Sequence, residues 1–262
     1  MRGGAALTGC PVPRLWVCDI SSIRSAGLLS RYTAVLDPVE HARLARFRFE
    51  RDKHRFLVSH ALQRAVLSDA TGVDAAELLF RVGEHGKPFL AFPPSRDSEG
   101  LSFNLSHSGS HAVLAVWQGG GAVGVDIESH RPDRPFMRLA TRYFAETEQE
   151  LLGAAPAREQ MACFYDLWTL KESYLKARGA GLRLPLGDFS FALASGSLAF
   201  NAEASLDDRP ERWRFWCARI GGSFSVALAL ESLEMPEPEL YELTPFADSQ
   251  PAAIDRLVAR SP

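Results

Sequence analysis

Short stretches in which apolar and polar residues alternate predict the strands of this chain. The first is LWVCDI, at residues 15–20. LSFNLSHSGSHAVLAVWQ predicts two strands joined by a polar turn, and GGGAVGVDIE predicts a glycine turn followed by a third strand. Further strands are expected at FSFALA, WRFWCARI and SFSVALAL. Polar turns between consecutive strands are typical of antiparallel hairpins.

Apolar residues at helical spacing predict the long helices. Residues 37–70 are expected to form one or two helices, which begin at an Asp-Pro pair suited to an N-cap and stop before Gly72. Residues 157–178 give the strongest helical pattern, and the glycines of RGAG close it. Prolines and acidic residues are frequent from residue 234 onward, so we expect a loosely packed tail.

Two parts of the chain resemble each other. FNLSHSGSHAVLAVW and FWCARIGGSFSVALAL are both strand, small polar turn and strand, and each lies downstream of a long predicted helix. The similarity predicts an α+β fold of two pseudo-duplicated α/β halves, although two unrelated hairpins would share this pattern. The expected division is an N-terminal half at 1–122, a C-terminal half at 123–233 and a loosely packed Pro/Glu-rich tail at 234–262.

The composition is that of an ordinary soluble globule, with 262 residues, 46% hydrophobic residues and a mean hydropathy of -0.09. A net charge of -3 gives no general attraction to nucleic acid or anionic lipid, so any anion site must be local. No run of about 18 apolar residues predicts a membrane span. Cys10, Cys18, Cys163 and Cys217 lack the close pairs of a zinc site or disulfide framework, which favours reduced thiols and a cytoplasmic location.

The sequence GVDIE places two carboxylates on one face of a predicted strand. Because side chains alternate along a strand, Asp126 and Glu128 lie side by side, opposite to Val125 and Ile127. If that face is even partly buried, the pair needs a proton, a basic partner or a cation between its members. Magnesium fits well, because it prefers a few carboxylates together with water and phosphate oxygens. The alternative is an exposed edge strand with two unpaired acids.

The sequence WTLKESYLK carries a second set of polar residues. Trp168, Glu172 and Lys176 are each four residues apart, so they line one side of the predicted helix. An exposed Glu172-Lys176 ion pair is the simpler interpretation of the helix alone. Taken with Asp126 and Glu128, however, these residues supply three carboxylates and a cation, which is the composition of a phosphate and metal site. In AETEQELL, Glu148 is a further candidate acid, or it complements the dipole of a helix N-terminus.

Basic residues form a candidate anion site. The segment RLARFRFERDKHR runs from Arg43 to Arg55 and can be a solvated helix face, a nucleic-acid patch or a phosphate cradle. Lys87 in GKP and His107 in NLSHS lie at predicted turns, where side chains and backbone amides can meet an anion. The serines beside His107, among them Ser106, do not indicate a hydrolase, because the chain has no G-x-S-x-G motif.

GVDIE, followed by WTLKESYLK and preceded by GKP and FNLSHSG, resembles the Sfp-type 4′-phosphopantetheinyl transferases over residues 37–230. The resemblance implies two similar α/β halves with the active site at their interface. It implies transfer of the phosphopantetheine arm of coenzyme A to a serine of an acyl or peptidyl carrier protein, with release of adenosine 3′,5′-bisphosphate and a requirement for magnesium. Two positions depart from the family pattern: Glu40 replaces a lysine found in many relatives, and Phe56 replaces a small hydroxyl residue found in some.

The resemblance also implies roles for single residues. Asp126, Glu128 and Glu172 would hold magnesium against the diphosphate of coenzyme A, and Lys176 would neutralise the charge of the phosphate. Lys87, Ser106 and His107 would bind phosphates of coenzyme A, with Arg43 and Arg55 at its nucleotide end. Glu148 would accept the proton of the serine, with a metal-bound water or Lys176 as the alternatives. We therefore expect Glu148, Glu172 and Lys176 to be catalytic.

The carrier protein is expected to be an acidic helical bundle that meets a basic and apolar surface. Arg134, Phe136, Met137 and Arg138 offer such a surface beside the metal strand. A monomer is expected, because both halves lie in one chain. Two rival functions remain: another magnesium-dependent enzyme that cleaves phosphodiesters with water, and a binding module whose basic segment contacts nucleic acid.

Overall fold

The structure is a computed structural model that describes residues 12–83, 86–92, 100–179, 181, 184–194, 196–247 and 249–262. The helices are α1 (Ala26–Ala34), α2 (Pro38–Ala45), α3 (Glu50–Thr71), α4 (Phe136–Tyr143), α5 (Glu146–Ala154) and α6 (Ala157–Arg178). The strands are β1 (Arg14–Asp19), β2 (Leu79–Val82), β3 (Pro88–Phe92), β4 (Ser102–Ser108), β5 (His111–Trp117), β6 (Val123–Ser129), β7 (Phe189–Ala194), β8 (Ser197–Ala202), β9 (Trp213–Ile220), β10 (Phe224–Glu231), β11 (Glu239–Leu243), β12 (Ser249–Pro251) and β13 (Arg256–Arg260).

The order of elements repeats once along the chain, which confirms the predicted pair of α/β halves. Each half has one strand, then helices, then two hairpins: β1 to β5 in the first half and β6 to β10 in the second. The longest helix of each half, α3 or α6, has 22 residues. Each of these helices ends at a glycine with a left-handed backbone, Gly72 with φ 71° and Gly179 with φ 64°.

Each half contributes one main sheet with the same pairing. In the first sheet, of order β12-β11-β1-β5-β4, β1 pairs with β5 and β5 with β4, both antiparallel. In the second, of order β6-β10-β9-β13-β8-β7, β6 pairs with β10 and β10 with β9 in the same way. Strands β2 and β3 form a separate hairpin.

A shared apolar core joins the two sheets. It contains side chains from β1 and β5 of the first half and from β6, β9 and β10 of the second. Strand β6 contributes Val123, Val125 and Ile127 to this core. Because side chains alternate along the strand, Gly124, Asp126 and Glu128 lie on its other face, which α6 covers.

The tail is not loosely packed, contrary to the expectation from its composition. Strand β11 pairs in parallel with β1, and β13 pairs with β9 in the sheet of the other half. Ala259 is fully buried, and the backbone N–H of Phe215 donates to Ser261 Oγ at 3.0 Å. Backbone pairing with distant strands holds this segment, and a local count of prolines and acids contains no information about such partners.

Candidate active site

Helix α6 touches the backbone of β6 at Gly124. A Cβ atom added to Gly124 would lie 2.0 Å from the carbonyl oxygen of Ser173 and 2.3 Å from the backbone nitrogen of Ala177. Only a residue without a side chain allows this approach. The contact brings the turn of α6 that carries Glu172 and Lys176 against the polar face of β6.

Asp126 is the centre of the polar cluster that results. Its carboxylate is buried, and Oδ1 accepts hydrogen bonds from Lys176 Nζ at 2.5 Å and from Ser106 Oγ at 2.7 Å. Lys176 also donates to Ser106 Oγ at 2.7 Å. The second oxygen, Oδ2, is buried and has no hydrogen-bond partner among the described residues. A buried carboxylate oxygen without a partner is costly unless a cation or a donor comes to it.

Strand β4 of the first half completes the cluster. Ser108 Oγ donates to Glu128 Oε2 at 2.7 Å, and the backbone N–H of Val125 donates to Asn104 Oδ1 at 2.9 Å. Asn104, Ser106 and Ser108 are alternate residues of β4, so they share the face that meets β6. The carboxylates of the second half are therefore held by side chains of the first, and the cluster lies where the halves meet.

Burial and mutual repulsion destabilise the charged carboxylates. Burial, then the charge of Asp126, raises the pKa of Glu172 to about 7, and Lys176 opposes this shift only partly. Burial and Asp126 also raise the pKa of Glu128, while the hydrogen bond from Ser108 lowers it. The side chain of Glu172 forms no hydrogen bond with a described residue. The cluster therefore has more negative charge than its own cations neutralise, which is the electrostatic condition for binding a further cation.

An open cleft of about 610 Å³ adjoins the cluster. Its lining is rich in cationic and polar side chains and includes Glu128. The lining residues are Arg55, His107, Ser108, Gly109, Glu128, Arg131, Asp133, Arg134 and Pro135. The positive charge of its arginines makes this cleft suitable for a phosphate ligand. A single guanidinium group can donate two parallel hydrogen bonds to two oxygens of a phosphate.

Two residues predicted to bind phosphates, Arg55 and His107, line this cleft. Burial, then the charge of Arg55, lowers the pKa of His107, so its ring is neutral at pH 7 in the absence of an anion. Arg55 donates from Nη2 to Asp52 Oδ1 at 2.8 Å. Arg43 is exposed and lies outside the cleft lining, with its guanidinium 5.4 Å from the ring centre of Phe56.

The two departures from the family pattern have structural roles. Glu40 is buried and accepts hydrogen bonds from Arg64 Nε at 2.8 Å and from the backbone N–H of Asp37 at 3.0 Å, and it pairs with His60 Nδ1 at 2.6 Å. Phe56 is buried with its ring centre 3.9 Å from that of His60. Neither side chain lines the cleft.

Lys87 joins the two halves near the cluster. Its Nζ donates to the carbonyl oxygens of Val123 at 2.8 Å and Ala177 at 2.9 Å, which belong to the start of β6 and the end of α6. Burial lowers the pKa of this amine to about 8. Lys87 lines a second, smaller cleft of about 280 Å³ with Phe89 and Gly179, apart from the cleft of Arg55 and His107.

Glu148 does not belong to the cluster. Its side chain is fully buried and pairs with the equally buried Lys171, with Nζ and Oε2 2.7 Å apart. Its oxygens also accept the backbone N–H groups of Phe191 at 3.0 Å and Ala145 at 3.1 Å. A carboxylate so enclosed has no surface with which to reach a substrate hydroxyl. The structure therefore does not support the catalytic role predicted for Glu148.

Glu148→Gln should reduce stability rather than chemistry. The substitution leaves the Lys171 ammonium buried without a counter-charge, which typically costs about 3–5 kcal/mol. We expect a large fall in Tm, and partial recovery in the double variant Glu148→Gln/Lys171→Met, which buries no charge. The measurement is thermal unfolding together with turnover of the folded fraction. A Glu148→Gln protein with the parent Tm but without turnover would restore the catalytic assignment.

Sequence patterns missed part of the site. Asn104 and Ser108 hold Val125 and Glu128, and the alternation of NLSHS was the only signal for their shared face. Arg134, predicted to lie in a carrier dock, instead lines the cleft with its guanidinium 5.2 Å from the ring centre of Trp168. Phe136, predicted for the same dock, packs on the core with its ring centre 5.8 Å from that of Phe164.

The residues of the cluster fit a magnesium ion, although they do not form a finished metal centre. Within the described ranges, no group of three or more His, Cys, Asp or Glu side chains is arranged as a complete ligand set. The fit rests on the buried, unpartnered Asp126 Oδ2 and on the raised pKa values of Glu128 and Glu172. Carboxylate oxygens in mutual repulsion are the donor set that a hard divalent cation prefers.

A cationic cleft beside buried carboxylates, at the junction of two repeated halves, is an arrangement typical of enzymes that act on phosphate ligands. The model of the family "4'-phosphopantetheinyl transferase, N-terminal" matches residues 25–118, and that of the "4'-phosphopantetheinyl transferase superfamily" matches residues 122–229. The chain is 37% identical to a 4'-phosphopantetheinyl transferase of Bacillus subtilis, over 64% of this chain and 71% of the relative. It is 35% identical to 4'-phosphopantetheinyl transferase Sfp of Bacillus subtilis (strain 168), over 62% and 69%.

A relative from a vertebrate and a solved structure also match. The L-aminoadipate-semialdehyde dehydrogenase-phosphopantetheinyl transferase of Xenopus laevis is 31% identical over 82% of this chain and 74% of the relative. The crystal structure of Thermotoga maritima holo-[acyl-carrier-protein] synthase matches with a TM-score of 0.36 and 20% identity, over 43% of this chain and 64% of that chain.

The chain belongs to the 4′-phosphopantetheinyl transferase superfamily, in its Sfp type. Its activity is the transfer of phosphopantetheine from coenzyme A to carrier proteins. The comparisons give no support to another magnesium-dependent, phosphodiester-cleaving enzyme.

Proposed function

We propose that the cleft lined by Arg55, His107, Arg131 and Arg134 binds the phosphates of coenzyme A, and that the adjoining cluster transfers the phosphopantetheine arm to a serine hydroxyl of the carrier. The buried, unpartnered oxygen of Asp126 carries this proposal, because a buried carboxylate oxygen with no hydrogen-bond donor is suited to bind a cation. Asp126, Glu128 and Glu172 would hold magnesium there. Magnesium, when bound, offsets the negative charge of the diphosphate and of the leaving group.

The chain's own residues supply the rest of the chemistry. In the transfer, the serine oxygen forms a bond to the phosphorus that bears the pantetheine arm. The bond from that phosphorus to the bridging diphosphate oxygen breaks, and its electron pair leaves with adenosine 3′,5′-bisphosphate. Lys176 lies beside Asp126 and places an ammonium where this charge develops. The Glu172 side chain receives no hydrogen bond from a described residue, so a carboxylate oxygen that it does not use for the metal would accept the serine proton.

Intact-protein mass spectrometry tests the reaction directly. The protein is incubated with coenzyme A, magnesium and apo carrier proteins from fatty-acid, polyketide and non-ribosomal peptide synthesis. Gain of one phosphopantetheine group by a carrier, lost in the presence of EDTA, is the expected result and also identifies the pathway. Hydrolysis of coenzyme A with no gain by any carrier would contradict the proposed acceptor.

Magnesium binding should depend on pH through Glu172. Because its pKa is raised to about 7, the folded protein retains a proton that the unfolded chain releases near pH 4.5. Without metal, stability therefore falls as pH rises from about 4.5 to about 7. Magnesium must displace the proton, so its affinity should fall about tenfold per pH unit below 7.

The magnesium-induced rise in Tm, measured above and below pH 7, checks this prediction without any catalysis. Glu172→Gln is the matched control, because it removes the titrating group but keeps the size of the side chain. The variant should bind magnesium weakly with little dependence on pH. An equal rise in Tm on both sides of pH 7 for the parent protein would show that Glu172 is not a ligand.

We place the carrier dock on the exposed side of α4, next to the cleft. Met137 is 42% exposed and Arg138 is exposed, whereas Arg134 and Phe136 face the cleft and the core. An apolar side chain beside cations suits an acidic helical partner. Arg138→Glu should raise the KM for the carrier about tenfold and leave the KM for coenzyme A unchanged. Equal KM values for the carrier in both proteins would remove α4 from the dock.

Cytoplasmic location and a monomeric state are further parts of the proposal. Cys18, Cys163 and Cys217 are free thiols, which suits a reducing compartment, while Cys10 lies outside the described residues. Both halves of the cluster come from one chain, so no second copy is needed to complete it. None of the helices in the described part of the chain has the length and apolar content of a membrane crossing.

A further inference from the structure

A buried hydrogen-bond network lies behind the cleft, and none of the roles described so far uses it. Asp166 of α6 is 1% exposed. Arg219 of β9 donates to its Oδ2 from Nη2 at 2.5 Å, and Ser225 of β10 donates from Oγ to its Oδ1 at 2.6 Å. The carboxylate and the guanidinium neutralise each other, so the network is a rigid, satisfied unit rather than a charged site.

His130 is the member of this network that adjoins the cleft along the chain, because the next residue, Arg131, lines it. Because the hydroxyl proton of Ser225 is directed to Asp166, the Ser225 oxygen accepts a hydrogen bond from His130 Nε2, 2.9 Å away. The proton of the His130 ring is thereby assigned to Nε2. The ring also stacks on Tyr165, with 5.1 Å between ring centres and 12° between planes. The hydrogen bond at Nε2 and the stacking on Tyr165 together fix the orientation of the His130 ring.

The residues that follow His130 form the cationic wall of the cleft. Arg131 and Arg134 both line it, and Glu128 lies two residues before His130. The backbone N–H of Arg131 donates to the hydroxyl of Tyr165 at 3.1 Å, which holds the start of this loop against α6. At its other end, the guanidinium of Arg134 lies over Trp168, also on α6.

One helix therefore holds both the cationic loop and part of the carboxylate cluster. Asp166, Trp168 and Glu172 belong to α6, where the first anchors His130, the second supports Arg134 and the third belongs to the cluster. An anion that is bound by the loop and also, through a cation, by the cluster needs a fixed distance between the two. If the arginines of the loop are displaced, the ligand must bring them back into position when it binds. The free energy that this requires weakens the affinity for the ligand.

We propose that His130 is a positioning residue for coenzyme A, which acts through Ser225 and Asp166 to set Arg131 and Arg134 at a fixed distance from Glu128 and Glu172. The proposal rests on the proposed function of the cleft. It assigns to His130 no contact with substrate and no proton transfer. The occupant it serves is the diphosphate of coenzyme A, which the arginines would contact directly and the carboxylate cluster would hold through magnesium.

Four variants test the proposal. His130→Phe keeps the stacking on Tyr165 but removes the donor, and Ser225→Ala breaks the link to Asp166. His130→Gln supplies an amide N–H in place of Nε2–H and should rescue binding. Ser261→Ala is the matched control, because it removes another buried serine hydroxyl bonded in the same sheet, to the backbone of Phe215 rather than toward the cleft.

The measurements are the Kd for coenzyme A by titration calorimetry and the KM values for coenzyme A and carrier. His130→Phe and Ser225→Ala should each raise the Kd and KM for coenzyme A on the order of tenfold, the loss typical when a hydrogen bond behind a ligand is removed. The KM for the carrier should stay at the parent value. The double variant should be no worse than either single one, because both break the same chain of bonds.

Two results would overturn the proposal: an unchanged Kd for coenzyme A in both variants, or a rise in the KM for the carrier as large as that for coenzyme A. If His130→Phe does not fold, the Kd values of Ser225→Ala and His130→Gln for coenzyme A still test the proposal. Failure of the parent protein to modify any carrier would contradict the proposed function, while the calorimetric Kd would still report on the position of the loop.

Discussion

Asp126→Asn should lose carrier modification while it retains a folded structure. The amide keeps the shape of the side chain and can still accept hydrogen bonds from Ser106 and Lys176, but it removes the charge at the centre of the cluster. Loss of one preorganised polar group from an active site typically costs about 10³-fold in rate, and loss of a ligand of the proposed magnesium ion would add to this. We expect turnover by mass spectrometry to fall by at least that factor, with a Tm near that of the parent.

A second readout separates this charge from simple damage to the site. Asp126 is the largest charge that raises the pKa of Glu172, so Asp126→Asn should lower that pKa toward its ordinary value. Titration of Glu172 by NMR measures the change. Asp208→Asn is the matched control: its side chain is 2% exposed and pairs with Arg178, away from the cluster. Turnover by Asp126→Asn equal to that by Asp208→Asn would remove Asp126 from the active site.

Gly124→Ala should be among the most destabilising single-atom additions in the protein. The new Cβ would lie 2.0 Å from a backbone oxygen and 2.3 Å from a backbone nitrogen of α6, and neither can move without the helix. Overpacking of this kind costs about 3 kcal/mol or more, because the whole element has to shift. A shift of α6 would also separate Lys176 from Asp126, so we expect turnover to fall together with Tm.

Gly153→Ala is the control for this substitution. A Cβ at Gly153 meets no atom within 4 Å, and alanine favours the helical backbone of α5. Its Tm should equal or exceed that of the parent. A Gly124→Ala protein that unfolds and turns over like Gly153→Ala would mean that α6 does not rest on the backbone of β6.

Elements with strong local signals were predictable from sequence. Helix α6 covers residues 157–178, as its periodicity and the following glycine predicted. Strands β6, β9 and β10 also fall on their predicted segments. The sequence placed Asp126 and Lys176 in one site, through the spacing of carboxylates on a strand and of Glu172 and Lys176 on a helix together with the family resemblance. In each case the relevant distance along the chain was short or the pattern was specific. Ser106 was expected to bind a phosphate, and its hydrogen bond to Asp126 was not predicted.

The failures concern residues whose role depends on distant partners. The family resemblance implied that Glu148 is the base, but Lys171 and the backbone of β7 enclose its side chain. The residues around Arg134 in the sequence predicted an exposed cation in a carrier dock. The contact of its guanidinium with Trp168, 34 residues further along the chain, holds it at the cleft instead. The strands of the tail pair with β1 and β9, which are far away in sequence. No local pattern encodes such contacts.

The pairing of the tail makes the two halves inseparable, although they are copies in element order. Strand β11 completes the sheet of the first half yet follows the whole second half in the chain, and β13 then returns to the second sheet, between β9 and β8. A cut between β5 and β6 would therefore leave the N-terminal fragment without β11, which pairs with its strand β1. The C-terminal fragment would carry β11 without the strand that β11 pairs with. Reassembly of this enzyme from two pieces would require residues 239–251 to cross to the other fragment, as in a swapped dimer.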